Sequence, residues 1–461
     1  MNKQPKFLAH LAILLVSICL VPLQAQRTYA VSGTLVTPGG VIENGTMVVV
    51  NDRIQDIGAN PTVPKDAVII QVDGVVFPGL IDLHNHLTWN VLPRWKLPSP
   101  VANRYEWQAM PEYAASLSRP QSALMTKGAG CDAERYAEIK ALLGGATSLV
   151  GSYSPATAEP NRNDCVKGLA RNLDFFSGLY SDQVNAEPLR NEIFPLEVSW
   201  EQAKKIRDGL GSGDLKAAIF HVGEGKDASA AREFRMFKAR GFLRPGVSII
   251  HGVSLREADF SEMKANGVGF IWSPKSNLEL YGKTANLESA KAAKVTIALA
   301  PDWSPSGSSG MLDELRVAMA WNHEHANVFS DSEMSQMVTT NPARLAGLSD
   351  RIGALAPGMM ADFIVLPKVG SSPLNSLLDS KPASIKLVVV GGMPLLGTAD
   401  YIQKFQDAKN IDTVMVCGQQ KVLNIRQDTS GDSWTAIEAR LTSVLTSAGT
   451  SLAGLSECQA K

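Results

Sequence analysis

Pro78-Gly79-Leu80-Ile81-Asp82-Leu83-His84-Asn85-His86 is the stretch on which the reading of this chain turns. Pro78-Gly79 ends a β-rich N-terminal region, and Leu80 to Leu83 is an apolar run of the length of a buried strand. Two histidines follow, spaced two apart, so on extended backbone both imidazoles point the same way. Beyond it, apolar strand-like runs alternate with helical stretches. The clearest strands are Lys216 to His221, Val247 to His251, Val268 to Trp272 and Val295 to Leu299, separated by helices at Ala230 to Arg240, Leu255 to Asn266 and Ser289 to Ala293. Apolar strands spaced by helices indicate a parallel sheet covered on both faces. With earlier strands at Leu80 to Leu83, Thr147 to Tyr153, Leu173 to Tyr180 and Ile193 to Val198, the count reaches the eight of a closed (β/α)8 barrel over roughly 250 residues.

On the N-terminal side, Tyr29 to Val36, Met47 to Val50 and Arg53 to Ile57 are short strands. Asn44-Gly45 and Asn51-Asp52 are the turns between them, the first a strong hairpin signal. Strand character returns at Ala361 to Leu366 and Ile385 to Val390. The expected fold is therefore α/β: a (β/α)8 TIM barrel over residues 78–356, with a small β-sandwich domain built from residues 26–77 and 357–400. Residues 401–461 form a C-terminal extension with a strand near Val414 to Cys417, a helix from Trp434 to Leu445, and no function legible in them.

The chain has 461 residues, with 44 Lys and Arg against 45 Asp and Glu. That balance argues against a nucleic-acid binder, which needs a basic face. Residues 1–25 carry Lys3 and Lys6 ahead of an apolar run from Phe7 to Leu23, the shape of a secretory signal peptide cleaved near Ala25. The alternative is an uncleaved anchor, since the run is just short of a bilayer span. Cleavage removes two lysines and no acids, leaving a mildly acidic mature protein. It also leaves Cys131, Cys165, Cys417 and Cys458, an even number that fits disulfides in an exported chain. The pairing expected is Cys131 with Cys165 and Cys417 with Cys458, each near in sequence. The expected location is exported, periplasmic or secreted, without a stable membrane anchor once the signal is removed.

Seven histidines are present, and His84, His86, His221 and His251 fall at the C-terminal ends of expected barrel strands, the rim where barrel enzymes build their sites. Asp302 follows the last strand and Glu224 lies three residues past His221. Singly, each acid reads as a turn or loop residue; with the histidines they read as a site. Imidazoles with a carboxylate suit zinc or ferrous iron, with a position left open for water. His323-Glu324-His325 sits in a helical stretch where residues two apart face different ways, so it reads as surface.

These pieces together resemble the amidohydrolase superfamily, in its cytosine deaminase and chlorohydrolase-like branch. The resemblance rests on the stretch from Pro78 to His86, His221-Val222-Gly223-Glu224, Ile250-His251-Gly252, Ser273-Pro274-Lys275-Ser276-Asn277, Ala300-Pro301-Asp302, and Asn341-Pro342-Ala343 through Gly353, Gly358 and Ala361-Asp362. It implies that His84, His86, His221 and Asp302 hold one divalent metal ion. It further implies that His251 sits beside the water, that Asp302 accepts the water's proton, and that Glu224 shuttles a proton to the substrate. The segment Trp303-Ser304-Pro305-Ser306-Gly307-Ser308 departs from the family's pattern and is expected to reshape the pocket. Trp89, Arg94, Trp95, Arg104, Tyr105 and Trp107, in the excursion after His86, form either a pocket wall or a packed surface loop.

The function expected is an exported metal-dependent hydrolase that deaminates a cyclic amidine-like small molecule. Two alternatives stand beside it: a two-metal amide or peptide hydrolase with Glu197 as the bridging carboxylate, and a noncatalytic binding protein of the same fold. Partners are a small-molecule substrate and no nucleic acid, with homo-oligomerisation left open.

Overall fold

The computed structural model describes residues 27–152, 168–174, 188–426 and 431–458. The expected signal peptide and Cys165 lie outside these residues. Eight short parallel strands follow one another in chain order: β5 (Leu80–Asp82), β6 (Ala146–Leu149), β7 (Arg171–Asn172), β8 (Leu189–Ile193), β9 (Ala217–Val222), β10 (Val247–His251), β11 (Gly269–Trp272) and β12 (Ile297–Leu299). Strands β9, β10 and β11 are buried along their whole length, as expected where helices cover both faces.

Among the described residues these strands do not close into one barrel. They form a three-stranded sheet, β5-β6-β7, and a five-stranded sheet, β8 to β12. The seam between β5 and β12 is bridged only by the pair Asn85 and Asp302, just past the two strand ends. Both strands are three residues long, and each is laddered on its other side, β5 to β6 and β12 to β11. The third strand among the described residues is Arg171–Asn172; the expected strand Leu173 to Tyr180 starts in a turn at residues 173–174 and otherwise lies outside the described residues. The fourth is Leu189–Ile193, ending where Ile193 to Val198 was expected to begin, because residues 195–197 form a turn.

The small domain is not two packed sheets. Hydrogen bonds run through one nine-stranded sheet, ordered β16-β17-β15-β14-β13-β4-β1-β2-β3. Its N-terminal strands are β1 (Thr28–Thr37), β2 (Gly40–Val50), β3 (Arg53–Gly58) and β4 (Val68–Pro78), and its C-terminal ones are β13 (Phe363–Leu366), β14 (Leu387–Val390), β15 (Met393–Gly397), β16 (Asp412–Val416) and β17 (Gln419–Leu423). The sheet thus continues past residue 400. Alternation in β16, with Asp412, Val414 and Val416 buried and Thr413 and Met415 exposed, is what lets this segment cover an edge. β4 lies parallel to β1 and antiparallel to β13, joining the two ends of the chain at the sheet's centre.

Gly79 is the hinge from this sheet into β5. A Cβ there would lie 2.0 Å from Thr147 Oγ1, so only glycine lets β5 lie down against β6. The C-terminal helix Trp434–Ser447 packs on the helix Gly130–Leu143, with Trp434 stacked on Tyr136 and Arg440 paired twice to Asp132 at 2.7 Å. A disulfide joins Cys417 to Cys458.

Candidate metal centre and active site

His84, His86, His221, His251 and Asp302 converge where β5, β9, β10 and β12 end. His84 Nε2 is 3.2 Å from His221 Nε2 and 3.3 Å from Asp302 Oδ1, and His86 Nε2 is 3.2 Å from the same oxygen. Four nitrogen or oxygen ligands held tetrahedrally at about 2.0–2.1 Å from a zinc ion stand roughly 3.3 Å apart. These three donor–donor distances therefore have the spacing of ligands that share one divalent ion. Two overlapping groups meet the spacing for a shared ion: His84, His86 and His221, and His84, His251 and Asp302. Burial, with the charges of neighbouring imidazoles, pushes His84 and His221 well below the ordinary histidine value, keeping them in the neutral form that binds metal.

His251 and Asp302 adopt left-handed backbone, with φ of 68° and 65°. For residues other than glycine this costs free energy, and its occurrence at two site positions marks them as held there by their surroundings. Asp302 is pinned by its N–H donating to His84 O at 3.0 Å. On the other side, Asp82 Oδ1 accepts from His84 N at 3.0 Å and Oδ2 from Asn85 Nδ2 at 2.6 Å, and burial pushes Asp82 up to about 7.

A second layer comes from Ser273 and the helix Pro274–Tyr281 that follows it. Ser273 Oγ meets His84 Nδ1 at 3.0 Å, Ser276 Oγ donates to Asp302 Oδ2 at 2.6 Å, and Asn277 Oδ1 meets His251 Nδ1 at 2.9 Å. The sequence reading had no role for these three residues beyond the resemblance. Their spacing of i, i+3 and i+4, at the start of a helix entered directly from the end of β11, was the available signal.

Glu224 is buried beside His251, its Oε1 3.8 Å from His251 Nε2. It faces a cavity of about 190 Å³ that is also lined by His86, His221, His251 and Asp302, and walled by Trp89, Trp107, Tyr113, Phe194 and Trp303. The excursion after His86 divides: Trp89 and Trp107 form cavity wall, while Trp95 packs behind them against Trp107. Arg94 donates to the carbonyls of Ser304 and Gly307 and so holds the segment after Asp302. Phe194 stacks on His221 with centroids 4.5 Å apart.

Glu197 is not part of either ligand group. Its exposed carboxylate meets Arg104 Nη2 at 3.0 Å, which removes the bridging role considered for it, since a bridging ligand must face the imidazoles. His325 stacks on Trp321 and His323 meets Asn327, both away from the site.

The chain is similar to known proteins in sequence and in fold. The amidohydrolase family matches residues 211–421. The chain is 25% identical over 398 residues to a 5-methylthioadenosine/S-adenosylhomocysteine deaminase of Desulfitobacterium hafniense, covering 78% of this chain and 90% of that one. It is 24% identical over 428 residues to a 5′-deoxyadenosine deaminase of Methanosarcina mazei, covering 86% and 94%. Among solved structures, atrazine chlorohydrolase of Arthrobacter aurescens, solved with zinc, superimposes with a TM-score of 0.66 at 17% identity, covering 80% of this chain and 95% of that one. An adenosine deaminase of Xanthomonas campestris with bound zinc gives 0.62 at 17% identity, covering 79% and 92%. These structural likenesses concern the fold. The sequence match places an amidohydrolase-family domain over residues 211–421 of this chain, and the two relatives it resembles over most of their length are deaminases.

Proposed function

We propose that the protein deaminates a cyclic amidine-like small molecule, using one divalent ion, zinc or iron, held by His84, His86, His221 and Asp302. The observation that carries this reading is the placement of a buried carboxyl, Glu224, in the same cavity as the imidazole cluster and Asp302. The names of the two sequence relatives, both deaminases matched over 90% or more of their length, support the reaction class. The eight strands in order and the bridge between Asn85 and Asp302 support closure into a (β/α)8 barrel. Export of the mature chain is part of the same proposal, supported by the shape of residues 1–25 and by the Cys417–Cys458 disulfide, which suits an oxidising compartment.

A divalent ion in such a donor set supplies Lewis acidity that lowers the pKa of water towards 7. Asp302 takes the proton that water gives up, while Ser276 holds the carboxylate in register through Oδ2. Asn277 accepts from His251 Nδ1, an assignment made from the hydrogen-bond pattern, which leaves Nε2 as an acceptor facing the cavity. Glu224 protonates a ring nitrogen, the proton taken by Asp302 passes to the departing amine, and the Glu224 carboxylate takes back the hydroxyl proton as the carbonyl forms, so a C–N bond breaks, a C=O bond takes its place and ammonia leaves.

The test is ammonia release by zinc-loaded protein from 5′-methylthioadenosine, adenosine and guanine, with metal content measured on the same sample. One ion per chain and turnover of one of these amines is expected. In Glu224→Gln the ion is retained and turnover falls by about 10²- to 10⁴-fold. Two ions per chain, or full turnover in the variant, overturns the reading.

A further inference from the structure

The short helix Arg104–Gln108 lies in the excursion after His86, and three of its five side chains reach Glu224 through one intermediary each. Trp107 Nε1 donates to the Tyr281 hydroxyl at 2.9 Å, and Tyr281 donates to Glu224 Oε1 at 2.7 Å. Arg104 Nε and the Tyr105 hydroxyl both donate to Glu233 Oε1 at 3.0 Å. The other oxygen of Glu233 accepts the backbone N–H groups of Gly223, at 2.8 Å, and of Glu224, at 3.3 Å. The side chain and the peptide of Glu224 are thus held by two separate arms rooted in one helix.

The backbone ties the same two segments together. Asn103 and Gly225 form an antiparallel bridge, Arg104 N donates to Glu224 O at 3.3 Å, and Lys226 N donates to Ala102 O at 2.7 Å. A Cβ on Gly225 would lie 2.5 Å from Ala102 O, and its φ of 137° is one that only glycine adopts readily. Tyr281 and Glu233 are fully buried and Arg104 nearly so. Packing alone does not require a buried arginine, glutamate and tyrosine here, and burying them is costly unless each is bonded as these are. Burial and the charge of Glu224 keep the Tyr281 proton in place well above the ordinary tyrosine range, so the hydroxyl stays a donor.

We propose that Tyr281 and Glu233 are positioning residues for Glu224, the first orienting its carboxylate and the second its peptide, both set by Arg104, Tyr105 and Trp107. The inference rests on the proton-transfer role given to Glu224 above. With Oε1 held by Tyr281, Oε2 is the oxygen that exchanges protons with substrate. Positioning of this kind matters most in the transition state, so its loss falls on kcat and spares KM.

The experiment is a double-variant cycle on the zinc-loaded full chain, with whichever of 5′-methylthioadenosine, adenosine or guanine releases ammonia fastest as the probe. Tyr281→Phe and Glu233→Gln should each lower kcat about tenfold or more, within the ~10²- to 10⁴-fold that a general acid supplies, with KM within about twofold and one ion still bound. In the Glu224→Gln background neither substitution should slow turnover further, because residues that act through one group are not additive. Effects that multiply, or that fall on KM or ion content, overturn the inference and leave the function standing. Full kcat in both variants, where Glu224→Gln is impaired, does the same. Full turnover in Glu224→Gln, or no ammonia above the metal-free protein, removes both.

Discussion

Arg171 donates two hydrogen bonds to Asp362, Nε to Oδ2 at 2.9 Å and Nη2 to Oδ1 at 2.8 Å, with both side chains almost sealed from solvent. Arg171 is in β7 and Asp362 immediately precedes β13, so the pair joins the hydrolase strands to the nine-stranded sheet. Asp362 also accepts Gly391 N at 2.6 Å and gives its carbonyl to Gly79 N at 2.9 Å, which places it where the chain crosses between the two parts. Removing one partner of such a pair leaves the other charge buried and uncompensated. Asp362→Asn should therefore lower the unfolding free energy by about 3–5 kcal/mol, read from the shift of a urea transition.

Ser276 offers a test of the layer behind the ligands. Its hydroxyl donates to Asp302 Oδ2, the oxygen opposite the one shared with His84 and His86. Ser276→Ala should weaken zinc binding by about 10- to 100-fold, the usual cost of losing such a contact. Competition against a chromophoric chelator reads this directly, and circular dichroism should be unchanged.

Lys140 gives a pH dependence with a definite sign. Its ammonium is buried, bonded to Asn90 O at 3.1 Å and Ser304 Oγ at 2.9 Å, and burial pushes it down to about 8. The unfolded chain holds this proton up to about 10.4, so between pH 8 and 10.4 the unfolded state binds more protons and stability rises with pH. Its contribution is complete above about 10.4 and is lost as pH falls through 8. The unfolding free energy of the native protein should gain up to about 3 kcal/mol over this window relative to Lys140→Met. Urea transitions of both proteins at pH 7.5, 9 and 10.5 make the comparison.

The disulfide between Cys417 and Cys458 anchors the end of the described chain. Beside it, Glu457 meets Lys275 at 2.9 Å and Arg94 at 3.3 Å, close to the segment that follows Asp302. Closing a loop across a separation of 41 residues is worth roughly 2–4 kcal/mol. The paired substitution Cys417→Ser and Cys458→Ser should lower stability by about that amount, measured against the oxidised native chain under the same conditions.

The candidate ligand residues were legible because each is announced by its position on or just past a strand. His84 and His86 follow the apolar run Leu80 to Leu83, His221 and His251 end β9 and β10, and Asp302 comes just past β12. Strand ends share one rim in a parallel sheet, so residues far apart in sequence meet there for reasons local to each strand. Of the strands with the weakest patterns, Ile193 to Val198 was misplaced, because short runs carry little periodicity, and Leu173 to Tyr180 lies mostly outside the described residues. The aromatic excursion was undecided because a tryptophan in a loop has no period, and whether it walls a cavity or fills a core depends on what packs against it.

By itself, then, the order of residues determined the alternation of strands and helices, the return of the chain end to the N-terminal sheet, and the set of imidazoles and carboxylates with metal-binding chemistry. All of these follow from local rules of backbone geometry and side-chain type. Only the tertiary structure decided that Glu197 pairs with Arg104, that β16 and β17 extend the sheet, and that Ser273, Ser276 and Asn277 stand behind the ligands. It alone showed that Tyr281 and Glu233 converge on Glu224 from 57 and 9 residues away. Contacts of this kind depend on which surfaces the packing brings together, and no spacing along the chain encodes that.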